Sequence, residues 1–186
     1  MVAKTDKLSK FCDYIGELFL QDRSLKPSEL IAENFRLSRE FEADPGRYLL
    51  GDNPYWEKPI NQLLNPRVFQ ITVKKSTQVG ATLTTQAIIY AIAVLDPAQS
   101  MYVLPTRDEA ATQRDRVYIN GLASESTFSC LVPSRHNWNM RTINLLATRI
   151  NIAWPGSDQR LRGKACKCVF ENETDVYEWN KEAGNP

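Results

Sequence analysis

Ile71-Thr72-Val73-Lys74-Lys75-Ser76-Thr77-Gln78-Val79-Gly80-Ala81-Thr82 is the stretch on which the fold turns. It reads as a short apolar strand, a polar turn closed by glycine, and a hydroxyl residue opening a helix. That is the layout of a phosphate-binding loop, in which backbone N–H groups and a helix N-terminus hold phosphate oxygens. The usual pattern is G-x-x-x-x-G-K-[ST]. Here Lys75 stands at the first glycine and Ala81 at the lysine. Gly80 remains where the loop turns into the helix, a backbone position that other residues strain. Thr82 keeps the hydroxyl that coordinates Mg²⁺ in such sites. Lys75 can replace the charge missing at Ala81 from the other end of the loop, since its stem is long and its ammonium is a movable point charge. On these residues alone, a strand–turn–helix with no ligand stands level with a phosphate site.

Val68–Val73 is rich in β-formers and predicts the strand before the loop. Thr82–Leu95 predicts an apolar helix stopped by Asp96-Pro97. Ser100–Leu104 predicts a buried strand ended by Pro105. Thr106, with Glu109 three residues on, predicts a capping box opening a helix that runs to about Asn120-Gly121, a good C-terminal stop. Ile143–Leu146 and Arg149–Ala153 predict a hairpin or adjacent strands, and Cys166–Phe170 a last strand. Upstream, Leu8, Phe11, Cys12, Ile15, Leu18 and Phe19 recur at helical spacing over Lys4–Leu20. Pro27-Ser28-Glu29 opens a second helix bearing Leu30, Ile31 and Phe35. Tyr55–Leu64 predicts a short helix ended by Asn65-Pro66. Strands alternating with helices predict an α/β fold with a mostly parallel sheet flanked by helices.

The chain has 186 residues, enough for one domain of ordinary size, and an apolar share of 42% supports a core. Net charge is +1, from 23 basic and 22 acidic residues, so nucleic acid would have to be met by a local patch. Cys12, Cys130, Cys166 and Cys168 form no C-x-x-C pair and His136 is the single histidine, spacings unsuited to zinc. Reduced core cysteines of a cytosolic protein are the expectation. Met1–Lys10 is polar with no apolar run after it, so no signal peptide is expected. No run approaches the ~20 apolar residues that span a membrane.

A nucleotide-hydrolysing loop needs a second element, an apolar strand ending in acids. One carboxylate holds Mg²⁺ and the next orients water. Cys168-Val169-Phe170-Glu171-Asn172-Glu173-Thr174-Asp175 has that form. Asn172 occupies the metal position, where a neutral amide is a weaker ligand for a hard cation. Glu173 follows as the water-orienting acid. Glu171 or Asp175 could compensate, though Glu171 would need a shift of one residue, which turns a strand side chain to the other face. Taken alone, a solvated acidic turn is favoured.

With their flanks, these pieces resemble one family, the large terminase subunit of tailed bacteriophages, of the lambda-like type. The resemblance runs through Asn53-Pro54-Tyr55-Trp56, Pro59-Ile60-Asn61-Gln62-Leu63 and Lys75-Ser76-Thr77-Gln78-Val79-Gly80. It continues through Tyr102-Val103-Leu104-Pro105-Thr106 with Glu109-Ala110, then Gly156-Ser157 with Leu161-Arg162-Gly163, then Glu173 and Asp175. These span roughly Tyr48 to Tyr177, in the family's order, and a phosphate-loop lysine moved to the first position is a habit of that family. The resemblance implies a RecA-like (ASCE) P-loop NTPase domain over residues 51–186, with a helical N-terminal extension over 1–50. It implies an ATPase that uses ATP and Mg²⁺ to drive double-stranded DNA into a procapsid in the host cytoplasm, without being part of the mature virion. Lys75, Ser76, Thr77, Gln78, Val79, Gly80, Ala81 and Thr82 would bind phosphate. Thr82 and Asn172 would hold the metal, Glu173 would orient water, and Tyr55 would contact adenine. Arg162, with Arg160 as second choice, would stabilise the transition state, a role that can be worth ~10³ or more in rate.

The implied partners are DNA, the portal protein and the small terminase subunit. The motor is expected as a homo-oligomeric ring on the portal, with a monomer expected for an isolated domain. Members continue into a nuclease domain beyond the point where this sequence ends, which suggests a fragment. DNA would be held through its phosphates without sequence preference. Arg160, Arg162, Lys164 and Lys167 form one candidate basic cluster and Arg107, Arg114 and Arg116 a second, both read more readily as solvated faces. Ala81 and Asn172 keep a second reading open, a catalytically weak P-loop module used for assembly or docking. A helicase-like motor domain is a third.

Overall fold

The computed structural model describes residues 26–41, 44–48, 50–76, 78–133, 138–139, 141–146, 148–157 and 165–174, with Ser9 and Asp13, both helical. The rest of the helix expected over Lys4–Leu20 lies outside the described residues. In chain order the elements are α1 (Pro27–Asn34), β1 (Arg36–Leu37), β2 (Gly46–Arg47) and two 3₁₀ turns (Leu50–Asp52, Pro54–Trp56). Then come α2 (Glu57–Asn61), α3 (Ala81–Leu95), β3 (Ser100–Val103), α4 (Arg107–Ala123) and α5 (Ser126–Ser129). The chain finishes with β4 (Thr142–Asn144), β5 (Arg149–Ala153) and β6 (Cys168–Glu171).

β3 is the middle of the main sheet, whose strand order is β4-β5-β3-β6. β5 and β6 both pair with β3 in parallel, and only β4 runs antiparallel, against β5. All four residues of β3 are buried, as a strand covered on both faces requires. The fold is therefore mixed α/β with a mostly parallel sheet and helices. β1 and β2 form a separate two-stranded ribbon.

α3 is buried almost all round, through Ala87, Ile89, Tyr90, Ala91, Ile92, Ala93 and Val94. A helix apolar on every side belongs inside, and each large aliphatic side chain so buried contributes about 1.5–3 kcal/mol. α1 begins with proline at its first turn and sets Leu30 and Ile31 into the same core. Tyr90 stacks on Phe128 at 5.4 Å, lies 6.1 Å from Phe35, and donates its hydroxyl to the Val117 carbonyl at 2.8 Å. Burial pushes that hydroxyl's pKa up.

Three local expectations are corrected. Helix α4 ends close to the expected place, at Ala123, but Gly121 lies inside it and is not its stop. Gly121 is instead a packing residue, because a Cβ there would fall 1.8 Å from the Tyr90 hydroxyl. Thr106 does cap α4, accepting from the Glu109 N–H at 3.1 Å. The reciprocal half of the box is replaced, since the Glu109 carboxylate accepts from Gln113 Nε2 at 2.6 Å. Val68–Val73 is not a strand. It runs as irregular chain with Phe69 96% exposed and Ile71 and Val73 also exposed. High β propensity does not make a strand without a neighbour to pair with, and none of the described strands takes this segment as its neighbour.

Candidate functional site

The parallel strands β3, β5 and β6 all end on one side of the sheet. In open α/β sheets ligands bind in the crevice outside those carboxyl ends. β3 runs there into Leu104-Pro105-Thr106, β5 into the Trp154–Ser157 turn, and β6 into Asn172-Glu173. The Leu104 N–H donates to the Ala153 carbonyl at 3.0 Å and the Asn172 N–H to the Val103 carbonyl at 3.1 Å, so these ends are knitted together.

The N-terminus of α3 meets this edge. Its N-cap is Gly80, in the left-handed region at φ 70°, with no side-chain cap on the first turn. The opening N–H groups of such a helix carry partial positive charge and suit an anion. Gln78, two residues earlier, is also left-handed at φ 59°. A non-glycine residue held there costs on the order of 1–2 kcal/mol. The other described non-glycine residue with positive φ is Glu173, at 54°. Backbone strain is thus concentrated on two segments far apart in sequence that both belong to this region.

A hydrogen bond joins the segments directly. Asn172 Nδ2 donates to Thr82 Oγ1 at 3.3 Å across 90 residues. Asn172 is buried and Glu173 exposed. Farther along α3, the Thr84 hydroxyl donates to the Gly80 carbonyl at 2.9 Å and meets the Tyr48 hydroxyl at 2.6 Å. Burial pushes the Tyr48 hydroxyl up, while the Thr84 bond pulls it down.

The loop is gripped from a second side by Asn53–Trp56. Trp56 Nε1 donates to the Val79 carbonyl at 2.8 Å, and the Tyr55 hydroxyl reaches the same oxygen at 3.1 Å and Asn53 Oδ1 at 2.6 Å. The Asn53 amide lies 3.9 Å from where a Gly80 Cβ would be. The Tyr55 ring is half exposed. Neither Trp56 nor Asn53 is assigned a role by the sequence pattern, although both belong to the Asn-Pro-Tyr-Trp turn.

Val79, Gly80, Ala81 and Thr82 therefore lie together with Tyr55, Asn172 and Glu173 around one edge. Lys75 and Ser76 sit on the exposed stretch upstream, and no described residue pairs with Lys75. Thr77, Arg160, Arg162, Lys164 and Asp175 lie outside the described residues. In the two basic clusters, Lys167 pairs with Asp96, Arg114 pairs with Asp115, and the Arg116 guanidinium sits 5.8 Å over the Phe41 ring. Arg107 is exposed. Cys168 has its thiol pKa pushed up by burial, with Asp96 adding and Lys167 opposing. Among the described residues no group of three or more His, Cys, Asp or Glu is arranged to hold a metal, and no helix is long and apolar enough to cross a membrane.

Residues 42–186 match the family model described as phage terminase large subunit gpA, ATPase domain. No curated protein and no solved structure matches the chain.

Proposed function

We infer the function from one premise: the chain belongs to the phage terminase large subunit gpA family, matching its ATPase domain. On that premise the protein is the ATP-hydrolysing part of a lambda-like DNA-packaging motor, built on a RecA-like P-loop fold. The division is a helical extension over 1–50 and the ATPase domain over 51–186. The observation that carries this reading is the Asn172–Thr82 hydrogen bond, which joins the uncapped start of α3 to the end of β6.

The residues fit a magnesium-bound triphosphate. A left-handed glycine, an uncapped helix start and a threonine hydroxyl form a cradle for an anion and its cation. Asn172 turns its Nδ2 to that hydroxyl, so its amide must flip to offer the oxygen to the cation. ATP, when bound with Mg²⁺, supplies the phosphoanhydride that water splits. The N–H groups from Gln78 to Thr82 bind phosphate oxygens, with Ser76 and Thr77 completing the loop. Lys75 adds the charge that Ala81 lacks. Thr82 and Asn172 would hold the cation. Glu173 would orient the attacking water. The exposed Tyr55 ring offers a face to adenine, and Arg162 stabilises charge on the transferred phosphoryl group. The work done is translocation of double-stranded DNA, held through its phosphates, in a ring on the portal with the small terminase subunit, in the host cytoplasm.

One observation favours a second reading. The residue beside Thr82 is an amide, and a neutral ligand holds a hard cation less firmly than a carboxylate. On that reading the domain binds nucleotide, turns it over slowly, and serves docking to the portal.

Titration with Mg·ATP and a hydrolysis assay separate the two. Lys75→Ala is expected to weaken binding about tenfold or more, the worth of a charge-assisted contact. Asn172→Asp is expected to raise Mg²⁺-dependent hydrolysis. Unchanged affinity in Lys75→Ala would remove the lysine from the site, and unchanged turnover in Asn172→Asp would remove Asn172 from the metal position.

A further inference from the structure

Val79 lies between two left-handed residues, Gln78 at φ 59° and Gly80 at φ 70°. Its carbonyl oxygen takes hydrogen bonds from two consecutive side chains, Trp56 Nε1 at 2.8 Å and the Tyr55 hydroxyl at 3.1 Å. The two donors differ. Tyr55 has one hydroxyl proton and also reaches Asn53 Oδ1 at 2.6 Å, so its hold on Val79 is shared. The indole N–H has no other described partner, and Trp56 is buried in the core, 6% exposed.

The peptide joining Val79 to Gly80 is planar and trans, as no cis bond occurs among the described residues. In a trans peptide the C=O and the following N–H point in opposite directions. Fixing the Val79 oxygen toward Trp56 therefore fixes the Gly80 N–H on the far side, away from the indole. Rotation of this peptide would exchange them and present an oxygen where a donor belongs. Glycine at 80 makes that rotation easy, because both signs of φ are open to it. The loop thus contains a flexible peptide and one buried donor that selects its orientation.

We propose that Trp56 is a positioning residue for the phosphate loop: its indole N–H holds the Val79 carbonyl so that the Gly80 N–H faces the phosphates. This rests on the reading of Gln78–Thr82 as a phosphate site and names a residue that sets its geometry. Trp56 touches no phosphate in this role. It raises the fraction of molecules whose loop is competent, and apparent affinity scales with that fraction.

The test uses wild-type protein, Trp56→Phe and Tyr55→Phe. Trp56→Phe keeps an aromatic ring in the core and removes the N–H. Tyr55→Phe removes only the shared donor from a half-exposed ring, so it keeps the test open should Trp56→Phe fold poorly. Each is titrated by calorimetry with inorganic tripolyphosphate, which has no base, and with Mg·ATP. The Gly80 amide resonance is followed in the ligand-free proteins. We expect tripolyphosphate affinity to fall about tenfold in Trp56→Phe, and about two- to threefold in Tyr55→Phe, the worth of one firm and one shared hydrogen bond. The Gly80 amide should shift before any ligand is added, a change that general loosening of the core would not confine to the loop. Tripolyphosphate affinity equal to wild type in both variants overturns the proposal, as does a loss seen only with ATP, which would place these rings on the base. Wild-type protein that binds neither ligand overturns the phosphate site itself, a separate result.

Discussion

The two flanks of the Gln78–Thr82 loop meet the rest of the protein in opposite ways. Downstream, α3 runs through the core with Ile89, Tyr90 and Ala91 buried. Upstream, Val68–Ser76 is irregular and largely exposed, with Phe69 96% in solvent. Both stretches are apolar and both were expected to be regular. The difference is where their hydrogen bonds go. A helix closes its bonds within its own segment, so local sequence suffices. A strand closes them on a neighbour, and no described strand lies beside this one. The loop is therefore held by α3 and by Asn53–Trp56, and not by the segment that leads into it.

Side-chain truncation should have opposite consequences on the two flanks. Ile89→Ala should cost about 2–5 kcal/mol, as a deletion in a closed core does. Phe69→Ala should fall within about 0.5 kcal/mol, as exposed substitutions do. Urea unfolding reads both, and a cost at Phe69 equal to that at Ile89 would mean the upstream segment is packed after all.

Two glycines give a finer contrast. Gly121→Ala drives a Cβ into the Tyr90 hydroxyl and should destabilise the protein by about 1–3 kcal/mol in thermal unfolding. Gly80→Ala meets nothing closer than 3.9 Å. Its cost is the left-handed backbone alone, about 1–2 kcal/mol, but it should also weaken Mg·ATP. Gly121→Ala should leave the affinity of the folded protein unchanged.

The smallest effect is a pH dependence. Burial raises the Tyr48 and Tyr90 hydroxyls above their ordinary 10.0. The folded state therefore keeps protons that the unfolded chain releases, and stability is whole below pH 10 and falls as pH rises beyond it. Tyr90→Phe should lessen that alkaline decline in a series of unfolding curves, and an unchanged decline would deny Tyr90 a part in it.

What was legible in the sequence follows the same physics. Helix α3, its glycine entry, the Thr106 cap and the pairing of Thr142–Asn144 with Arg149–Ala153 are written in local pattern and turn chemistry. The approach of Asn172 to Thr82 was legible only as a pairing of two motifs, since neither residue shows a long-range contact by itself. Gly121 misled because a glycine near a helix end looks like a stop, while its actual constraint is the Tyr90 ring from another helix. Trp56 was invisible as a site residue, because an indole N–H aimed at one carbonyl leaves no mark on composition or period.

The proposed function requires the Gln78–Thr82 turn and the end of β6 to be one nucleotide site. Titrating ¹⁵N-labelled wild-type protein with Mg·ATP tests this most directly. Saturable amide shifts concentrated at Gln78–Thr82 and at Asn172–Glu173 are predicted. Absence of saturable shifts, or binding that leaves those amides unmoved, would contradict it.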